Sequence, residues 1–353
     1  MIKVSGDQIF VETKTLEAKF DKGYLVYLRS KISDEEFVSL SSYCEIPALE
    51  LVYAGNEAFG IDEMKFGNIE VFSFSNSYAE IRFNNWNGDG VIAISEDPET
   101  HDLLIRPSAY SSRPGVKSCR WNIMGIRSDL QVVAPFFQGV KLDPSDALIK
   151  NTRWEWPAMW EAGLVILQGT KSGFWIHCRD NQYKYKALSI GREGHINSLG
   201  LETQAYGPID NNLAAGGIEW RINVYKGGWE VPASTYKTWL WEAYDLKKQE
   251  NMRKEWFHNV RMAISWCPAD VRILDSLSRK VDPQKVIIHL PRWRTDKYDT
   301  NYPSYILNSE AKAFIRRGKE LGYHIMPHFN SMEVDPLNPV YNYVKDFQFR
   351  DID

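Results

Sequence analysis

Three short runs in the last third of the chain carry residue types suited to gripping a polar ring: Ser265-Trp266-Cys267, His289-Leu290-Pro291-Arg292-Trp293-Arg294 and His328-Phe329-Asn330. The indoles of Trp266 and Trp293 offer flat apolar faces that can stack on a pyranose, because an aromatic ring presents a large surface at little entropic cost. Arg292, Arg294, His289, His328 and Asn330 supply the donors and acceptors that hydroxyl groups need. These seven residues are the candidate substrate-binding set. In the competing reading Trp266 closes a barrel of βα units and the arginines pair with Asp296 or Asp299 of the following loop. His289 and His328 also have the chemistry of metal ligands, but no third histidine or carboxylate stands at a recognisable spacing, so no metal is expected.

Glycoside hydrolysis would need two carboxyl groups about 5 Å apart for retention, or about 6.5 to 9.5 Å apart for inversion. Glu333 and Asp335 follow the last of the three runs, but no spacing pairs them, so they read as loop carboxylates and the catalytic residues stay unassigned. A second polar stripe lies upstream, where period two in Gly173 to Asp180 places Trp175, His177 and Arg179 on one side of a strand. It lines a groove or covers the back of a sheet. His177 or His195 facing a glutamate would suit acid-base work on a sugar, which is the epimerase alternative. No cofactor is expected: the run Gly191 to Gly200 lacks G-x-G-x-x-G and any surrounding βαβ pattern, and reads as a loop.

The elements that must position these residues change character along the chain. Residues 1–228 are short alternating or apolar runs between turn residues, the pattern of an all-β sandwich. Examples are Tyr24 to Leu28, Ile69 to Phe74, Ala79 to Phe83 and Gly217 to Tyr225, and Asn87-Gly88-Asp89-Gly90 reads as a hairpin turn. From Val231 the apolar groups Tyr236, Trp239, Leu240 and Ala243 recur at helical spacing behind Pro232, so residues 229–258 form a helical linker. Beyond it the order is strand, helix, strand, helix, strand: Val260 to Trp266, Ala269 to Arg279, Val286 to Leu290, Ser309 to Leu321 and Tyr323 to Phe329. Such βα units feed a parallel sheet, whose chemistry gathers at the carboxyl ends of the strands, and all three candidate runs fall there.

Composition narrows the function classes. The 353 residues carry 42 basic and 46 acidic side chains, a formal charge of -4, so no global positive field would hold nucleic acid. No apolar stretch approaches the roughly 18 residues of a membrane span, and the first residues lack a secretory pattern, so a cytoplasmic protein is expected. Cys44, Cys119, Cys178 and Cys267 lie far apart with no C-x-x-C pair, and read as buried free thiols. Aromatic residues make up 13% of the chain; flat rings suit sugar faces, which fits a glycan as partner, yet most of them must simply be core.

The order of parts resembles multidomain glycoside hydrolases with a galactose-mutarotase-like N-terminal supersandwich. Trp156-Pro157-Ala158-Met159-Trp160 through Gly173 to Asp180, with Lys184 and Lys186, is similar to the late-sandwich segment of endo-α-N-acetylgalactosaminidase-like and related glycosidase-like families. Gly322 to Asn330 is similar to their third barrel strand. The resemblance implies a multidomain β plus α/β fold: a β-supersandwich over 1–228, the linker 229–258, and over 259–353 the first three βα units of an incomplete (β/α)8 barrel. A full barrel takes about 250 residues, so this sequence is expected to be the N-terminal portion of a longer enzyme, a truncated form that contributes a saccharide cleft. Its catalytic carboxylates are expected on strands beyond residue 353, leaving this chain inactive by itself. The alternatives are a noncatalytic carbohydrate-binding or scaffold protein and the mutarotase-like epimerase.

Overall fold

The computed structural model describes residues 1–40, 46–53, 55, 57–61, 68–193, 196–205 and 209–347. The chain divides into two compact units, one over Met1–Tyr244 and the other over Asp245–Gln348.

The first unit is built on two antiparallel sheets, of eleven and ten strands among the described residues. In the larger sheet five consecutive strands from Ile2–Ser5 to Glu36–Ser39 form a meander, which joins Val116–Ile126 and then Ile196–Gln204, Lys186–Glu193 and Asn151–Glu155. The smaller sheet runs Val140–Leu142, Gln131–Ala134, Leu164–Gln168, Ser172–Cys178, Trp220–Lys226, Leu103–Ser111, Gly88–Glu96, Tyr78–Trp86 and Asn68–Ser75. Alternation explains why these segments are strands. In Tyr78–Trp86 the side chains of Ala79, Ile81 and Phe83 are buried while Glu80 and Arg82 pair with each other on the other face. The inward faces meet in one core, where Phe37 of the larger sheet lies 5.6 Å from Phe174 of the smaller and Trp160 stacks on Trp220 at 6.2 Å.

Two expectations change, while the hairpin at Asn87-Gly88 stands, joining Tyr78–Trp86 to Gly88–Glu96. The strand expected from Gly217 begins at Trp220, because Gly216 and Gly217 take φ of +120° and +86° and break the extended run. Gly88 serves close approach rather than positive φ: a Cβ there would stand 2.0 Å from the Tyr110 carbonyl. The Gly191 to Gly200 run is not a loop but parts of two paired strands, Gly191 opposite Ser198, with residues 194 and 195 outside the described set.

The helix Glu230–Ala243 is where the periodicity placed it. It covers the outer face of the ten-stranded sheet, burying Tyr236 and packing Trp239 and Leu240 against Leu164, Ile166, Trp175 and Tyr225. That explains why Ser172–Cys178 is buried on both faces. Phe174, Ile176 and Cys178 face the inter-sheet core; Trp175 and His177 face the helix.

The second unit holds a three-stranded sheet in the order Met262–Ile264, Val286–Leu290, His324–Pro327, all parallel. The helix Val271–Leu277 starts at Asp270, whose carboxylate accepts from the Arg272 amide. Ser309–Leu321 is capped by Asn308, which accepts from the Ala311 amide at 2.7 Å, and it ends at Gly322 with φ +96°, the left-handed position that glycine occupies without a Cβ clash. Leu274, Phe314 and Ala311 of the helices close over Val286, Ile288 and Leu290. The other face of the sheet stays open, with Ile287 half-buried and Met326 47% exposed. No helix among the described residues is long and apolar enough to cross a membrane.

Candidate functional site

The carboxyl ends of the three parallel strands converge on a chain of hydrogen bonds. The Trp266 amide donates to His289 Nδ1 at 3.4 Å, His289 Nε2 lies 3.2 Å from His328 Nδ1, and His328 Nε2 lies 3.4 Å from the Tyr298 hydroxyl. A backbone N–H can only donate, so in the neutral rings Nδ1 of His289 is the acceptor and its proton sits on Nε2. That proton points to His328 Nδ1, and the His328 proton to the Tyr298 oxygen. The Tyr298 O–H is thereby left free to donate outward. Desolvation, with the nearby His328, lowers the His289 pKa below the usual histidine value and favours this neutral arrangement.

The aromatic part stands beside this chain. Trp266 is 58% exposed, its ring 5.1 Å from Tyr298 and edge-on to His289 at 5.9 Å. Its backbone has φ +56°, a region that costs a bulky L-residue and persists only where the surroundings enforce it. The sequence thus spends strain to hold an indole in solvent. Phe329, also exposed, lies 5.0 Å from Trp293 and 5.1 Å from Tyr305. A half-apolar floor with a few directed polar groups suits a polyhydroxylated ring.

The seven sequence-derived candidates occupy different places. Trp266, His289 and His328 come together. Trp293 is buried, its Nε1 donating to the His328 carbonyl at 2.6 Å. Arg294 is also buried and donates to the carbonyls of Ser304, Thr300 and Lys297 at 2.8 to 3.1 Å, with its guanidinium 3.9 Å from the Tyr302 ring. It braces its own loop. Asn330 accepts from the Met332 and Glu333 amides and donates to the Glu333 carboxylate at 2.6 Å, so its side chain shapes the turn. Arg292 is exposed. Tyr298, absent from the candidate set, is the group the site adds; its signal was its place in the long loop after the second strand.

Asp335 accepts from the Asn301 and Leu337 amides, and Asp296 accepts from Ser304 at 2.8 Å and Asn301 at 3.1 Å. Together with the Asn330–Glu333 bond, these contacts leave the loop carboxylates engaged in turns. Among the described residues no group of three or more His, Cys, Asp or Glu is arranged to hold a metal ion.

In the sandwich, His177 faces a carboxylate, but the partner is Asp102, 3.7 Å from His177 Nε2. The ring is only 1% exposed, stacked on Trp175 at 4.0 Å and edged by Tyr236 of the covering helix, with no opening for a sugar. His195, the other histidine of the epimerase alternative, lies outside the described residues. Cys119, Cys178 and Cys267 are buried free thiols, and burial pushes the Cys178 thiol up to about 12; Cys44 is outside the described set.

A family model described as a domain of unknown function (DUF6259) matches residues 218–353. No curated protein matches the chain. Among solved structures it is similar to the alpha-N-acetylgalactosaminidase NagBb from Bifidobacterium bifidum. The GalNAc complex matches with a TM-score of 0.59 at 12% identity, over 93% of this chain and 59% of that one. A quadruple mutant of the same protein gives 0.66 at 12% identity, over 94% and 60%. The GH36 alpha-galactosidase AgaA from Geobacillus stearothermophilus, in complex with raffinose, gives 0.43 at 9% identity, over 96% and 58%. These neighbours are glycoside hydrolases, and the likeness to NagBb, at 12% identity, is one of fold. The chain spans about three-fifths of their length.

Proposed function

We propose that this chain carries the sandwich and the opening βα units of a carbohydrate-active protein of the glycoside hydrolase type, and that the ends of its parallel strands supply part of a saccharide cleft. The observation that carries the reading is the exposed, left-handed Trp266 beside the His289–His328–Tyr298 hydrogen-bond chain, a stacking face next to an outward-pointing donor. On this reading the small sheet opens a (β/α)8 barrel. The open face bearing Ile287 and Met326 supports it, since parallel sheets are covered on both faces. The ligand is an oligosaccharide or glycan; the GalNAc complex of NagBb is one chemical guide to the sugar class.

The chain supplies binding rather than bond cleavage, because Glu333 and Asp335 are engaged by loop donors instead of facing each other across a cleft. This also accommodates the reading as a noncatalytic carbohydrate-binding protein. The test is glycan-array binding by the full chain, repeated with Trp266→Ala and Tyr298→Phe. Binding that the alanine variant loses, and that the phenylalanine variant weakens about fivefold to tenfold for one lost hydrogen bond, is expected. Silence across the array, or binding indifferent to both changes, overturns the proposal. Turnover of an aryl glycoside by this polypeptide alone would refute the division between binding and cleavage.

A further inference from the structure

A second polar site lies in the sandwich unit, at the end of the strand Ser172–Cys178. A cavity of about 220 Å³ opens there, lined among others by Cys178, Arg179, Asp180, Lys184, Glu219 and Arg221. The pairing of its charges decides what it can hold. Asp180 accepts from Lys186 Nζ at 3.0 Å and from the Gln182 and Lys184 amides. Glu219 is taken by Arg221 at 3.1 Å and by Arg106 at 2.8 Å. Arg221 also reaches Asp97 at 2.7 Å and Asp102 at 3.2 Å. Both carboxylates of the lining are therefore neutralised by cations around them. Arg179 is left over: among the described residues no carboxylate pairs with it, and its Nε is buried without a hydrogen-bond partner. The Arg221 Nε is unpartnered as well.

An arginine whose buried N–H lacks an acceptor loses that group's hydration without return, a cost that a bound acceptor removes. The guanidinium fork matches the two oxygens of a carboxylate or phosphate, and Lys184, which lines the same cavity, brings a second positive charge to it. The turn that carries Lys184 is fixed by Asp180, which accepts from the amides of residues 182 and 184, so the two cations are presented by a built wall. The volume has room for several water molecules or one small organic anion.

We infer that this cavity binds a small oxyanion, held by Arg179 with Lys184. All of the lining belongs to the sandwich unit, so the inference is made on that unit by itself and does not depend on the saccharide reading. The shared chemistry is a forked oxyanion; its source is a free inorganic ion or the acid group of a sugar.

The test is isothermal titration of the full chain at low ionic strength with inorganic phosphate, with glucuronate and with uncharged glucose. One equivalent of at least one anion binds, and glucose does not compete for it. Affinity falls at least about tenfold in Arg179→Gln and about threefold in Lys184→Gln, in keeping with the loss of a charge-assisted pair in one case and a single charge in the other. Glucuronate tighter than phosphate identifies an acidic sugar; phosphate equal or tighter identifies the free ion. Absence of binding by both anions overturns the inference, as does affinity unchanged in Arg179→Gln. Should that variant fail to fold, unchanged affinity in the half-exposed Lys184→Gln overturns it instead.

Discussion

Replacing Trp266 by alanine and by glycine separates the strain at this position from the work its ring does. A left-handed backbone costs an L-residue about 1 to 2 kcal/mol, which glycine does not pay. Against that, glycine loses more chain entropy on folding, by about 0.5 to 1 kcal/mol relative to alanine. The ring itself contributes little to stability: full burial of a large apolar side chain is worth about 1.5 to 3 kcal/mol, and this one is 58% exposed. Trp266→Ala keeps the strain and loses the ring, a cost of about 1 kcal/mol on these magnitudes. Trp266→Gly loses both and comes out near neutral. The assay is hydrogen exchange of the amides in Val286–Leu290, measured in the full chain as urea is raised, since those central-strand amides report opening of the small sheet. Exchange about fivefold faster in the alanine variant than in the glycine variant is expected for 1 kcal/mol, while both variants lose glycan binding. Equal exchange in the two, or a glycine variant that is the less stable, would refute the argument from strain.

The sandwich offers two further tests. Glu202 is fully buried and accepts from Ser118 at 2.6 Å, from Arg153 at 2.9 and 3.0 Å and from Arg120 at 3.2 Å, so Glu202→Gln leaves two guanidiniums short of charge and costs about 3 to 5 kcal/mol in urea unfolding. Burial raises this carboxyl's pKa, but the Arg153 hydrogen bond and charge, with Arg120 and Ser118, outweigh it and hold the group at about 2. Its folded pKa lies below the unfolded one, so its stabilisation is present above about pH 4.5 and is lost as the pH falls toward 2; a native-like acid slope in the glutamine variant would contradict this. His177 is held below its ordinary pKa chiefly by desolvation, against the nearby charge of Asp102 and with Arg179 and Arg221 adding repulsion. The unfolded chain takes up the proton first, so stability drops as the pH falls below about 6.5, and His177→Phe, which keeps the stack on Trp175, should flatten that drop. An unchanged slope between about pH 7 and 5 would show that other groups carry it.

What could be read from the sequence follows from how many faces of an element are buried. Tyr78–Trp86 has one dry face and one wet one, so its alternation declared both the strand and its orientation. Ser172–Cys178 is dry on both sides because a helix some fifty residues later folds back over it, and no local pattern separates a stripe awaiting a helix from one lining a groove. The strand ends of the parallel sheet were legible for a topological reason: wherever βα units run, side chains after each strand share one edge, and Trp266, His289 and His328 needed no further information to meet. The arginines were not legible. A sequence shows that Arg294 precedes a polar loop, but backbone carbonyls as partners have no residue signature, and its hydrogen bonds to residues 297, 300 and 304 appear only once the loop closes.

That closure also explains how so long an irregular segment could serve the proposed binding site. A loop of this length is ordinarily mobile, and a mobile loop pays ordering entropy each time a ligand arrives. Here Arg294 satisfies three of its carbonyls, Asp296 ties Ser304 to Asn301, and Asp335 draws the Asn301 amide in from the segment beyond the third strand. The polar crosspieces do for this loop what a hydrogen-bond ladder does for a sheet. With the segment braced from inside, Tyr298 meets His328 at a fixed point on its rim, and the histidine pair sets which way the tyrosine proton faces. The charged residues of the loop thus hold its frame, and on the proposed saccharide reading direct contact falls to an indole, a phenol and two imidazoles.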